Sequence, residues 1–163
     1  MRSLTPIIAV LRAAALVVLV VAVAACARNG GTSGTGVGNA PGAGAPGSQQ
    51  EFLVSVGDRV FFETDSSSLT PTASATLDKQ AAWLNKYNQY RILIEGHADE
   101  RGTREYNIAL GARRAAVVVN YLVSRGVNQG RITSKSFGKE RPVAICNDIS
   151  CWSQNRRAVT VVQ

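Results

Sequence analysis

The stretch "GHADERGTREYNIALGARRA", Gly96 to Ala115, concentrates the residues of this chain that could do chemistry. His97, Asp99, Glu100, Arg101, Arg104 and Glu105 fall close together, and Arg113 and Arg114 follow within one helical pattern. An imidazole beside carboxylates could act as a general base. The same groups could ligate a metal, but such sites take three or four protein ligands, and the chain has no second histidine. His97 is therefore expected at a strand end, as a structural hydrogen-bonding residue. No G-x-S-x-G turn, P-loop or H-E-x-x-H occurs, so neither an enzyme nor a cofactor is expected. Two readings of the charges remain. Asp99 and Arg114 could form an ordinary surface ion pair, worth about 0–1 kcal/mol, or they could grip a charged ligand. Spacing alone leaves both open.

Either reading needs elements that bring a loop and a helix together. Thr103 is a plausible N-cap for a helix running to about Arg125 and closed by Gly126. Along it, Ile108, Ala112, Ala115, Val119 and Leu122 recur at helical spacing and read as the core stripe. Asn107, Leu110 and Arg114 fall roughly 120–160° from that stripe at ~100° per residue. They predict a separate face beside the loop carrying Asp99. "RILIEG" reads as a buried strand ending at Gly96, and "RITSKSFG" and "RRAVTVV" as further strands. "EFLVSVGDRVFF" reads as two short strands around Gly57-Asp58. Thr70-Pro71 starts a helix whose apolar residues Ala73, Leu77, Ala81 and Leu84 continue to about Tyr87. The fold class this implies is an α/β sandwich, with helices packed on one face of a mixed β-sheet.

The ends of the chain say where such a domain works. Residues 1–25 read as an export signal: Arg2 and Arg12 precede the apolar run "AAALVVLVVAVAA". That run is shorter than the ~20 residues a membrane span needs. It ends at "VAAC", which resembles a bacterial lipobox, so Cys26 is expected to be lipidated (palmitate among its acyl groups). Ala27 rather than Asp follows it, which by resemblance to lipoprotein sorting favours the outer membrane. Residues 26–50 form the lipidated cysteine and a Gly/Ala/Pro-rich tether. Twenty such residues span about 25 Å root-mean-square and reach about 65–70 Å when stretched. Residues 51–163 form the head, large enough for one core. Removing residues 1–25 leaves 16 Lys and Arg against 11 Asp and Glu, a formal charge of +5. In an exported protein that excess suits an acidic polymer or surface better than nucleic acid. With Cys26 lipidated, Cys146 and Cys151 remain as a pair in an oxidising compartment, where a disulfide clasping a local loop is expected.

"EGHADERGTREYNIALGARRA", "SFGKERP" and "SQNRRAV" together resemble the OmpA-like peptidoglycan-binding domain, in the lipid-anchored branch that serves the Tol-Pal system. The resemblance covers the whole head. It departs where the family often has Pro in place of Arg104 and Ser in place of Gly111, and the "CNDISCW" pair resembles an alphaproteobacterial branch. The resemblance implies non-covalent binding to peptidoglycan, through the free end of diaminopimelate in uncrosslinked stem peptides. Asp99 would take its ammonium and Arg114 its carboxylate, for which a planar fork is suited. The helix N-terminus near Thr103 would add backbone donors. Asn107, Leu110, Thr64 and Asp65 match positions lining the family's cleft, and Arg113 and Arg157 complete the candidate set. The partners implied are peptidoglycan, TolB and other Tol-system proteins, and the outer membrane through the lipid, in support of envelope integrity and cell division. Two alternatives are an interaction hub without wall contact and a cell-wall hydrolase, which would have no nucleophile or metal to rest on.

Overall fold

The computed structural model describes residues 44–163. Residues 1–25, Cys26 and most of the Gly-rich segment lie outside the described residues. Four strands, β1 (Arg59–Phe61), β2 (Ile92–His97), β3 (Ile132–Gly138) and β4 (Arg157–Val162), form one sheet in the order β1-β4-β2-β3. The central strand β2 pairs parallel with β3 and antiparallel with β4, and β1 is antiparallel to β4. The sheet is thus mixed, as expected. Helices α2 (Pro71–Lys86) and α3 (Arg104–Ser124) pack on it, α3 chiefly against β2 and β3. No helix among the described residues is long and apolar enough to cross a membrane.

Both long helices start where their caps predict. Thr70 Oγ1 accepts from Ala73 N at 3.1 Å, and Thr103 Oγ1 accepts from Tyr106 N at 3.2 Å. Each satisfies one of the donors that a helix start leaves without an intrahelical partner. Ala73, Leu77, Ala81 and Leu84 of α2 all enter the core.

Two expectations need correction. The first half of "EFLVSVGDRVFF" is helical: α1 (Gln49–Glu51) continues as a π-helical turn over Phe52–Val56. Ser48 caps it, accepting from Glu51 N at 3.1 Å. Glu51 then accepts from Trp83 Nε1 and Gly47 N, each at 2.7 Å. Phe52 is buried against the Trp83 ring, centroids 4.9 Å apart, while Leu53 and Val54 face solvent. The Ser48 cap and the Glu51 contacts to Trp83 and Gly47 hold this segment in its helical turn.

The buried face of α3 also differs from the expected stripe. It comprises Asn107, Leu110, Gly111, Arg114, Ala115, Val118 and Leu122. Ala112 is exposed, and Ile108 and Val119 are only half-buried. Close approach of backbone to backbone decides this. A Cβ on Gly96 of β2 would lie 1.9 Å from the Gly111 carbonyl oxygen, and one on Gly111 would meet Ser136 Oγ at 2.4 Å. The seam takes the smallest residues rather than the largest apolar ones. Gly96→Ala must therefore push α3 off the sheet. It should cost stability at the upper end of the ~1–3 kcal/mol typical of overpacking, and an unchanged thermal midpoint would contradict this packing.

A short helix, α4 (Ile149–Asn155), precedes β4, where the sequence pattern gives no sign of one. Asp148 caps it, accepting from Ser150 N at 2.7 Å. Asn155 at its end ties down the preceding loop, accepting from Val143 N at 2.8 Å and donating to Ala144 O at 2.8 Å. The sulfurs of Cys146 and Cys151 are bonded across this loop, with Cα atoms 5.6 Å apart.

Candidate ligand-binding cleft

At the C-terminal end of β2 the chain turns through Ala98 and Asp99 before α3 begins. A cleft of about 250 Å³ opens there, lined by Thr64, Asp65, Asp99, Arg101, Gly102, Tyr106, Asn107, Leu110 and Arg114. Six of the expected site residues thus converge: Thr64, Asp65, Asp99, Asn107, Leu110 and Arg114. Arg113 is exposed one step along α3, its guanidinium 5.9 Å from the Tyr106 ring centroid. Arg157 is elsewhere, buried on β4 and donating to Arg141 O at 3.1 Å.

The two principal candidates are both buried. Arg114 has no exposed surface. Its Nε donates to Ser66 O at 2.8 Å, Nη1 to His97 O at 2.9 Å and Nη2 to Glu63 O at 3.2 Å. The side chain thereby links α3, the end of β2 and the turn after β1. Burial, and then the charge of Arg156, lower its pKa to about 10, so it stays protonated at neutral pH. The sequence places Arg114 on a face apart from the core; in the structure that face is buried because these carbonyls satisfy the guanidinium.

Asp99 is 7 % exposed. Its Oδ1 accepts from Arg101 N at 3.2 Å and Nε at 3.1 Å, and its Oδ2 from Arg101 Nη2 at 2.7 Å and Arg156 Nη1 at 3.4 Å. Burial alone would raise the pKa of this carboxyl. The Arg101 hydrogen bonds and charge, with help from Arg156, outweigh burial and hold it below the usual range. The loop around it is fixed through its carbonyls. Asn107 Nδ2 donates to Arg101 O, and Lys139 Nζ to Gly102 O, each at 2.7 Å.

Sequence reasoning misses Arg101, Tyr106 and Arg156. Arg101 has a local signal, since Asp99 accepts from the backbone two residues on in an Asx turn. Tyr106 donates its hydroxyl to Asp65 Oδ1. Arg156 comes from the far end of the chain, where nothing in its neighbours points to Asp99. A larger, more apolar groove of about 460 Å³ lies beside β1 and the start of α2. Its lining has one acid, Glu63, beside Arg59 and Arg156, against two acids and two arginines in the smaller cleft, so the smaller cleft is the better candidate for a ligand of both charges.

His97 departs from expectation. It is 1 % exposed, and neither ring nitrogen makes a hydrogen bond among the described residues, although Glu95 Oε2 lies 3.5 Å from Nε2. It stacks on Phe137 instead, with centroids 5.5 Å apart, and Arg141 covers that ring at 3.8 Å. Burial first, then the charges of Arg157 and Arg141, lower its pKa from 6.5 to about 4. The folded state thus binds this proton less readily than the unfolded chain. Stability from neutral His97 is complete above pH ~6.5 and is lost as pH falls toward ~4, on the order of 2–3 kcal/mol. Urea midpoints across that range should fall with pH, and His97→Gln should flatten the slope; an equal slope in the variant would refute the assignment.

A family model described as the OmpA family matches residues 61–156. The chain is 63 % identical over 147 residues to a peptidoglycan-associated lipoprotein of Rhizobium meliloti (strain 1021), covering 89 % of this chain and 84 % of that protein. It is 43 % identical over 153 residues to a protein of the same name from Pseudomonas putida, covering 89 % and 92 %. The fold matches the crystal structure of the peptidoglycan-associated lipoprotein from Burkholderia pseudomallei with a TM-score of 0.63. That match has 44 % identity and covers 65 % of this chain and 90 % of the other. The C-terminal domain of Helicobacter pylori MotB, at 22 % identity and a TM-score of 0.61, shares the fold. The chain belongs to the OmpA family, among relatives that are peptidoglycan-associated lipoproteins.

Proposed function

We propose that the head binds peptidoglycan non-covalently, taking the free end of diaminopimelate into the cleft. Anchored by lipid on Cys26, it would link the outer membrane to the wall from the periplasmic face. The observation that carries this reading is one polar cleft containing both acids, Asp65 and Asp99, and guanidinium groups, Arg101 and Arg114. A zwitterionic end group needs that combination, with donors and acceptors fixed in advance. The names of the relatives agree with it. Asp99, Arg114, Asn107, Leu110, Thr64 and Asp65 form the proposed site, with Arg113 at its rim. Arg157, which donates to Asn155 O and Arg141 O, lies outside the cleft. By the same relationship the protein acts with TolB and other Tol-system proteins in envelope integrity and in drawing in the outer membrane at division.

Retention on purified sacculi tests the wall-binding part. The chain should co-sediment with them and be released by free muropeptide, and recovery wholly in the supernatant would leave a protein-interaction hub as the reading. The anchor has its own test. Cys26→Ser should abolish acyl labelling and leave an unanchored or unprocessed precursor, whereas unchanged labelling would rule Cys26 out.

A further inference from the structure

We infer that the face of the sheet turned away from α2 and α3 docks on a bilayer surface rich in anionic phospholipid, which gives the head a membrane-lying position besides its wall-bound one. The inference goes beyond peptidoglycan binding and takes from the proposed function only the lipid anchor at Cys26.

Strand alternation separates the two faces. Val60, Ile92, Ile94, Ala158 and Val162 enter the core beneath the helices. Their neighbours point the other way, and the register sets them side by side. Arg59 lies opposite Val159, Leu93 opposite Val161 and Thr133, and Glu95 opposite Val159 and Lys135. This face is buried at the end that holds His97 and Arg157. Elsewhere Leu93, Val159 and Val161 are only half-buried, and Phe61 is 47 % exposed.

The face is also cationic. Alternation puts exposed Arg59, Arg91 and Lys135 on it, and Arg141 covers the Phe137 ring at its rim. Glu95 is the only carboxylate in the four described strands. Asp58, just before β1, is paired with Arg59 at 2.7 Å. Long basic side chains around a short apolar strip suit a lipid interface. The strip and Phe61 meet the acyl boundary, while the Arg and Lys stems lie along it and place their charges among phosphate groups.

The course of the chain selects a membrane over another acidic partner. Tyr90 Oη donates to Gly47 O at 2.7 Å, and Gln49 Nε2 to Val162 O at 3.1 Å. The described chain therefore begins at the end of the sheet where β2 starts and β4 stops. Arg91 is at that same end, its N donating to Gln163 O at 3.2 Å. Cys26 precedes Gly44 by 18 positions (44 − 26), and a chain of that length reaches no further than about 65 Å. An anchored head always has a bilayer within reach, at an effective concentration of about millimolar for so short a connection. Weak contact is then enough. The cleft opens at the other end of β2, between its loop and α3, and none of its lining residues belongs to this face.

The test uses residues 27–163 without lipid, so its outcome does not depend on acylation of Cys26. Every core residue among the described residues lies between Phe52 and Val162, and this chain keeps all of them. It is titrated with vesicles of phosphatidylcholine alone and with vesicles of equal parts phosphatidylcholine and phosphatidylglycerol, and the bound fraction is read by co-sedimentation. Binding to the anionic vesicles should be tighter by at least about tenfold, and added salt should weaken it steeply. Arg91→Gln combined with Lys135→Gln should lower it by about tenfold or more. Lys79→Gln combined with Lys86→Gln, the same charge change on exposed positions of α2, should lower it by less than about twofold. Equal losses from the two double variants would overturn the inference, because net charge rather than this face would then be responsible. Equal binding to the two kinds of vesicle, or binding to neither, would also overturn it. Tighter binding to soluble polyglutamate than to the anionic vesicles, at equal charge, would assign the face to an acidic polypeptide instead.

Discussion

Arg114→Ala is expected to be the most damaging single substitution in the head, lowering its stability by about 3–5 kcal/mol. The guanidinium has no solvent exposure and donates to the carbonyls of Ser66, His97 and Glu63. Truncation leaves three acceptors without a donor and a hole between α3 and the sheet. A domain of this size has only about 5–15 kcal/mol in total, so the loss is a large fraction of it. Arg114→Lys should recover only part, because one ammonium on a flexible stem cannot span carbonyls from two separate segments. Urea unfolding followed by tryptophan fluorescence measures both. A loss below about 1 kcal/mol for Arg114→Ala would mean that the carbonyls find water and that the residue is a surface group after all.

The second large effect concerns binding. Asp99→Ala should weaken muropeptide affinity by about 2–5 kcal/mol, or roughly 30- to several-thousand-fold. It releases the Arg101 fork and strips buried Arg156 of its acid partner in one step. Lys79→Ala on the exposed side of α2 serves as the control and should be near neutral. Comparable losses from Lys79→Ala and Asp99→Ala would show that Asp99 has no special place in binding.

Much of the fold is legible in the amino-acid sequence alone. Thr70, Pro71 and Thr103 announce two helices because capping is local chemistry, and both helices start where these residues fall. "RILIEG" announces the central strand because a short apolar run ending at a glycine fits one, and Ile92 and Ile94 are buried while Leu93 and Glu95 are half-buried. What local pattern misses is long-range. Phe52 turns its segment helical because Trp83, far along the chain, offers a surface to pack against. The register of α3 is set by Gly96 meeting Gly111, a contact between two elements that no count of apolar residues reveals. Arg114 can be matched to a site from its family pattern, but its burial depends on carbonyls from Glu63 and Ser66, which helical periodicity cannot see. An imidazole at a strand end is expected to hydrogen-bond, and His97 instead packs flat on Phe137.

The most direct test of the central claim is a calorimetric titration of the full chain with two muropeptides. They differ only in the third residue of the stem: diaminopimelate in one, lysine in the other. Lysine keeps the ammonium and lacks the carboxylate. Saturable one-site binding of the diaminopimelate form is expected, with the lysine form weaker by at least about tenfold because a guanidinium loses its anion. Equal affinity for the two, or no binding of either, would contradict a cleft built for both charges.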